Sequence, residues 1–157
     1  MIRKAEKNDI PHLLELLQQV GMVHHNIRPD LFKANATKYD EEQLATLIML
    51  QSECKPIFVS VDDCGKICGY AFCQITETKS DRLLHDKKTL YIDDICVDEK
   101  ARGQHIGTSL YNHVKDFAKQ IGCYNITLNV WNGNDSAYAF YQRLGMQTQK
   151  TCMEEKL

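Results

Sequence analysis

The chain is short of most features that would place it in a specialised class. No apolar run approaches the roughly 18 residues of a membrane span, which argues against a transmembrane protein. The N-terminal MIRKAEKNDI has no apolar signal core, so a cytoplasmic location is expected. Lysine and arginine together number 19 against 21 acids, a formal net charge of −2. That balance gives no basic footprint, and neither nucleic acid nor a membrane surface is an expected partner. Low-complexity stretches, charge blocks and internal repeats are missing too.

What is present suits a soluble globular protein. The 157 residues fit one domain, expected to span residues 1–157. A hydrophobic content of 43% and a charged content of 25% are ordinary for that class. The cysteine count is seven, an odd number in an intracellular-looking chain, which argues for free thiols over a disulfide frame. Cys64, Cys68 and Cys73 cluster across a hairpin without a Cys-x-x-Cys knuckle, so no metal is expected.

Periodicity orders the elements. Met1–Ala5 reads as a short strand, and NDIPHLLELLQQVG as a helix capped by Asn8 or Asp9, with Pro11 in its first turn and Gly21 as its stop. The following MVHHNIRPDLFKANATKY reads as a loop, long enough to be functional. His24 and His25 are expected to be solvated within it. DEEQLATLIMLQSE follows as a helix, with Asp40 and Gln43 at capping-box spacing.

PIFVSVD and KICGYAFCQIT form two strands around an Asp-Asp-Cys-Gly turn. After the loop ETKSDRLLHDKK comes the strand TLYIDDICV, then a helix from about Ile106 to Ile121, then NITLNVW as a strand. DSAYAFYQRL is a short helix, and MQTQKTCMEEK a candidate final strand. The sum is an α/β protein, with helices packed on a mixed sheet.

Two stretches carry chemistry. In TLYIDDICV, Leu90 and Ile92 share one parity, and Ile95 and Val97 the other. A strand keeps one apolar face only at period two, so the slip predicts a β-bulge at Asp93-Asp94. Backbone groups freed by a bulge can pair with an extended ligand. The residues alone also allow one acid to face solvent while the other caps a turn. The second stretch, ARGQHIGTSLY, joins that strand to a helix. Glycines before a helix start suit an anion, because the first N–H groups are unpaired and the helix dipole adds positive potential. No lysine follows Gly107, which excludes a nucleoside triphosphate P-loop, and Gly103 and Gly107 are spaced wrongly for a dinucleotide fingerprint.

Arg102-Gly-Gln-His105-Ile-Gly107, preceded by YIDDICV and followed by Asn134-Asp-Ser-Ala137, Phe140-Tyr141 and Gly145-Met146, resembles the GNAT superfamily of acetyl-CoA-dependent N-acetyltransferases over nearly the whole chain. The resemblance implies an α/β (α+β) fold: a central mixed, mostly antiparallel twisted sheet, helices on both faces, and a bulged, splayed fourth strand. It implies acetyl-CoA as cosubstrate, without a metal. Its pyrophosphate would lie on Arg102, Gly103, Gln104, His105, Ile106, Gly107 and Thr108, its pantetheine arm along Ile95, Cys96 and Val97, and Asn134 would bond that arm from across the cleft. Asp93, with Asp94 as the alternative, would be the general base, and Tyr141 the general acid; Tyr138 would be a wall residue. An acyl-enzyme on Cys96 is disfavoured, because the family transfers directly. The resemblance also implies that the loop between the first two helices covers the acceptor site, with Arg28, Asp30 and Tyr39 as candidates there or for local loop-fixing.

Two residues depart from the pattern. Met146 stands where an aromatic is usual, a conservative packing change. His105 replaces a glycine, and it is expected to take a helical φ < 0 in the first turn. The resemblance further implies a primary-amine acceptor, small molecule or protein amine, and a possible homodimer. An acyl-CoA-binding regulatory module without turnover is the alternative; the acid pair and Tyr141 favour catalysis.

Overall fold

The computed structural model describes residues 1–51 and 54–157. Its elements are β1 (Ile2–Lys4), α1 (Ile10–Ile27), α2 (Glu41–Met49), β2 (Ile57–Val61), β3 (Ile67–Thr78), β4 (Lys87–Val97), α3 (Ile106–Gln120), β5 (Asn125–Leu128) and α4 (Asp135–Arg143). The strands form one sheet in the order β1-β2-β3-β4-β5. Every neighbouring pair is antiparallel except β4 and β5, which are parallel. Parallel neighbours need a crossover, and α3 supplies it.

Alternation along the strands gives each face its own core. Ile57, Val59, Val61, Tyr70 and Phe72 cluster with Leu13, Leu16 and Leu17 of α1 and Leu44 and Ile48 of α2. Phe58, Ala71, Leu90 and Ile92 cluster with Leu110, Tyr111, Val114 and Ala118 of α3. The α3 side depends on Gly69. A Cβ there would lie 2.7 Å from the Cys96 carbonyl oxygen and 3.1 Å from Leu110 Cδ1.

Local signals account for most boundaries. Asp40 accepts from Gln43 N at 2.8 Å and Gln43 Oε1 accepts from Asp40 N at 3.0 Å, the predicted capping box. The last two residues of the predicted second helix, 52 and 53, lie outside the described residues. In the β2–β3 turn, Asp62 Oδ1 accepts from Cys64 N and Lys66 N, and Gly65 has φ of 84°. At the head of α1, Asp9 is the N-cap residue, but its carboxylate accepts from Glu6 N and pairs with Arg3 at 2.7 Å.

Gly21 does not stop α1. The helix runs on to Ile27, and Gly21 lies inside it because Ala36 O sits where its Cβ would be, at 2.6 Å. The predicted long loop therefore shortens to 28–40, with His24 and His25 on the helix. β3 and β4 also run further into the predicted 77–88 loop, through the pairing Thr78↔Lys87, with Glu77 and Lys88 in a cross-strand ion pair at 3.3 Å.

β5 ends at Leu128, short of the predicted Trp131. Its partner residue on β4, Ile92, is the last before the bulge, so the ladder cannot continue. The predicted final strand is not formed either. Residues 146–157 carry no regular structure, and the polar tail is held by ion pairs from Arg28 to Glu154 (2.8 Å) and from Lys156 to Asp30 (2.8 Å).

Candidate active site

The parity slip is a bulge, and Asp93 is its extra residue. Phe72 pairs with Asp94 and the next residue, Cys73, pairs with Ile92. Asp93 thus has no partner across the ladder. The insertion restores the register of faces: Leu90 and Ile92 before it, and Ile95 and Val97 after it, all join the α3-side core. Beyond Ile92 the side of β4 that faced β5 has no strand beside it among the described residues. This splayed edge, residues 93–97, leads directly towards the loop before α3.

That loop is anchored at its start by Asp98, which is buried. Asp98 N donates to Cys68 O at 2.9 Å, and its carboxylate accepts from Lys100 N at 3.1 Å and pairs with Lys66 at 3.1 Å. The hydrogen bonds and the cation hold its pKa below the ordinary 3.8 against the opposing desolvation, which is the largest single influence. From there Arg102, Gly103, Gln104 and His105 are exposed, and Ile106, Gly107 and Thr108 half-buried at the start of α3. The unpaired N–H groups of a helix start are therefore accessible, as an anion site requires.

His105 contradicts the expectation of helical φ. It is the N-cap of α3 with φ 60° and ψ 12°, in the left-handed region, and follows Gly103 at φ 80°. The chain needs both left-handed residues to turn from the extended Arg102 into the helix, so position 105 keeps a glycine-like conformation with a histidine in it. The conformation costs about 1–2 kcal/mol for an L-residue. Gly107 is required for space: a Cβ would stand 3.2 Å from Phe140 Cζ and 3.5 Å from Val97 Cγ2. α3 and α4 thus meet beside the free edge of β4.

The carboxylates of the bulge differ. Asp93 pairs with Lys38 Nζ at 2.5 Å, and its side chain is 29% exposed. Asp94 points to the α1 side and accepts from Tyr70 Oη at 2.7 Å. Removal from water raises the Asp94 pKa above 3.8, and the Tyr70 hydrogen bond opposes this only in part. Tyr70 is fully buried, and burial beside that carboxylate raises its own pKa well above 10.

Tyr141 lies on α4 beside the same cluster. Burial raises its pKa first, and the charges of Asp94, Tyr111 and Cys96 add to this. Its hydroxyl therefore stays protonated at neutral pH. Such a group donates a hydrogen bond to a thiolate readily, but full proton transfer to a thiolate of ordinary pKa, about 8.5, runs uphill. Tyr138 reaches Thr148 instead, at 3.0 Å. Asn134 commits its Oδ1 to Ala137 N at 3.3 Å as the cap of α4, leaving the amide N–H groups as donors.

The side chain of Cys96 faces α1, with Sγ 3.7 Å from Leu16 O, and burial pushes its pKa up to about 12. It is a core thiol; only its backbone borders the free edge. Cys68 and Cys73 are buried as well. Among the described residues no group of three or more His, Cys, Asp or Glu is placed to hold a metal ion, and no helix is long and apolar enough to cross a membrane.

Three residues escaped the sequence reading. Tyr70 belongs to the carboxylate cluster, and the signal for it was a tyrosine in a strand of otherwise small and apolar residues, whose hydroxyl would need a partner. His24, expected in a solvated loop, stands on α1 close enough to Asp94 to bias its charge, and stacks on Phe32 at 5.1 Å. Lys38 reaches Asp93 across 55 residues, and no local pattern announces it. Tyr39 beside it packs on Phe72 at 5.7 Å, while Arg28 and Asp30 fix the loop and the tail to each other.

Known proteins resemble this chain in sequence and in fold. The chain is 31% identical over 86 residues to an uncharacterized N-acetyltransferase, MJ1207, of Methanocaldococcus jannaschii, covering 55% of this chain and 37% of that one. It is 29% identical over 68 residues to glucosamine 6-phosphate N-acetyltransferase of Arabidopsis thaliana, covering 43% and 44%. The matches thus span less than half the length of these curated relatives. The crystal structure of a mutant of the BH1408 protein from Bacillus halodurans superposes with a TM-score of 0.93 at 33% identity, over 100% of this chain and 99% of that one. The model of the acetyltransferase (GNAT) family matches residues 21–146, which takes in the bulge, the glycine loop and Tyr141. The chain belongs to the GNAT family of acetyltransferases.

Proposed function

We propose that the protein transfers an acetyl group from acetyl-CoA to a primary amine by direct attack in a ternary complex. The observation that carries this reading is the free edge of β4, running from the bulge at Asp93 to the accessible start of α3, with α4 and Tyr141 beside it. The chemistry of the lining supports coenzyme A as the ligand. Ile95, Cys96 and Val97 offer backbone to an amide-rich arm, Asn134 offers amide donors, and residues Arg102 to Thr108 offer N–H groups and the helix dipole to a pyrophosphate.

Each residue then has a task. An amine of pKa about 10.4 is mostly protonated at pH 7 and must lose a proton before it attacks. Asp93 receives that proton, directly or through water; its carboxylate already holds an ammonium group, that of Lys38. Asp94, held by Tyr70 and half-buried, keeps the bulge in place and sets the local charge. Backbone N–H in the bulged strand stabilises the oxyanion. As the C–S bond breaks, the Tyr141 hydroxyl donates a hydrogen bond to the departing sulfur.

Calorimetry with acetyl-CoA, followed by thiol release over a panel of polyamines, amino sugars, amino acids and peptides, tests the reading. Saturable binding and amine-dependent thiol release are expected. Binding without release across the panel would favour a regulatory acyl-CoA-binding module, and no binding at millimolar ligand would refute both.

A further inference from the structure

The Asp93 carboxylate is already engaged by an ammonium from the chain itself. Lys38 Nζ lies 2.5 Å from Asp93 Oδ2, the position that the amine of an external acceptor would take beside the bulge. Lys38 is held there from both directions. Tyr39, the next residue, packs on Phe72, whose ladder partner is Asp94, and the Lys38 ammonium stands 5.6 Å from the Tyr39 ring. The Lys38 side chain is still 45% exposed, so the pair opens to solvent and can exchange for a substrate.

We propose that Lys38 is itself an acetyl acceptor, a self-modification site within the active site; this rests on the acetyl-CoA-dependent transfer proposed above. The Lys38 nitrogen attacks the thioester carbonyl, a C–N bond forms and the C–S bond breaks. Of the two protons the ammonium loses, the first passes to Asp93 and on to water, and the second ends on the sulfur of the leaving thiol. The product is an uncharged amide, which no longer pairs with Asp93. The carboxylate is then free for an external amine.

Chemical acetylation from solution would select other lysines. Partial burial works against the charged Lys38, but the Asp93 hydrogen bond and charge outweigh it and raise its pKa above 10.5, so its free-amine fraction in the resting protein is small. Lys150 is exposed and has no such carboxylate partner among the described residues. Acetylation concentrated on Lys38 therefore reports a directed reaction.

The test is incubation of the purified full chain with acetyl-CoA and no amine, read by intact mass and peptide mapping. We expect Lys38 to be modified at least roughly 10²-fold faster than Lys119 or Lys150, the contribution of a positioned base. Its rate should not change when the protein is diluted roughly tenfold, because the reaction is intramolecular. Asp93→Asn should abolish the preference for Lys38, and Lys38→Arg should leave no fast-modified site. Modification of Lys38 no faster than Lys150, or at a rate proportional to protein concentration, would overturn the proposal even while an added amine supports thiol release. Loss of both acetyl-CoA binding and thiol release would overturn it together with the transfer reading.

Discussion

Replacing Tyr70 by phenylalanine removes a single oxygen from the centre of the fold, and its effect should depend on pH. The Tyr70 side chain is fully buried, and its hydroxyl donates to Asp94 Oδ2 at 2.7 Å. A hydrogen bond to a charged group contributes about 1.5–3 kcal/mol, so Tyr70→Phe should destabilise by that amount at pH 7. For a chain of this length the loss corresponds to a fall in Tm of roughly 3–12 °C.

The sign with pH follows from Asp94. Its folded pKa lies above the ordinary 3.8 of the unfolded chain, because desolvation outweighs the Tyr70 bond. The group therefore favours the folded state most below 3.8, and that contribution falls as pH rises through the folded pKa. Without the Tyr70 hydroxyl the folded pKa rises further, at about 1.4 kcal/mol for each unit, and the penalty at pH 7 grows accordingly. Urea unfolding of both proteins at pH 7 and near pH 4 measures the difference, which should shrink on acidification. Equal destabilisation at both pH values would refute the charged hydrogen bond as its source. A double-mutant cycle with Asp94→Asn adds a check: the coupling between the two sites should account for most of the Tyr70→Phe effect.

Other outcomes follow from the same geometry. Tyr141→Phe should lower kcat by about 10²–10³-fold, the loss of one preorganised donor, with little change in acetyl-CoA affinity, which steady-state kinetics and calorimetry separate; unchanged turnover would remove Tyr141 from the reaction. His105→Gly should leave stability within about 1 kcal/mol of the parent or raise it, since relief of the left-handed strain offsets the entropy glycine adds to the unfolded chain, whereas His105→Val should be clearly destabilising in urea. Gly107→Val should cost about 1–3 kcal/mol by forcing Phe140 aside, and should weaken coenzyme A binding in calorimetry as the helix start shifts. Arg28→Ala should release the C-terminal tail, detected as faster carboxypeptidase trimming of residues 154–157.

The sequence disclosed features whose causes are local. A parity slip across Asp93-Asp94 is a local fact about which residues can share a face, and it located the bulge to that pair, within which the structure makes Asp93 the extra residue. The Asp40–Gln43 box and the Asp62–Gly65 turn were legible for the same reason, as side chains bonding backbone three or four residues away. What misled was punctuation with two meanings. Gly21 reads as a helix stop until Ala36 is known to press on it, and that contact is tertiary. His105 looks like an ordinary first-turn residue because nothing local announces a left-handed histidine. The final strand failed because its residues alone say nothing about whether a neighbour is available, and β5 is cut short by the bulge beside it. Lys38 and His24 reached the carboxylates only once the fold had brought α1, the 28–40 segment and β4 together.

The glycines at 69 and 107 have a consequence for how this protein can vary. One lets α3 lie against the sheet and the other lets α4 lie against α3, so together they set the height of the helix start over the β4 edge. Substitution at Gly69 would act as displacement, moving the proposed pyrophosphate loop relative to the β4 edge while every residue proposed to contact the cofactor kept its identity. A library of variants screened for solubility would tolerate more at these two positions than one screened for turnover. Drift at 69 would thus leave folded, family-like proteins that have stopped working, with no change in any residue that chemistry would nominate.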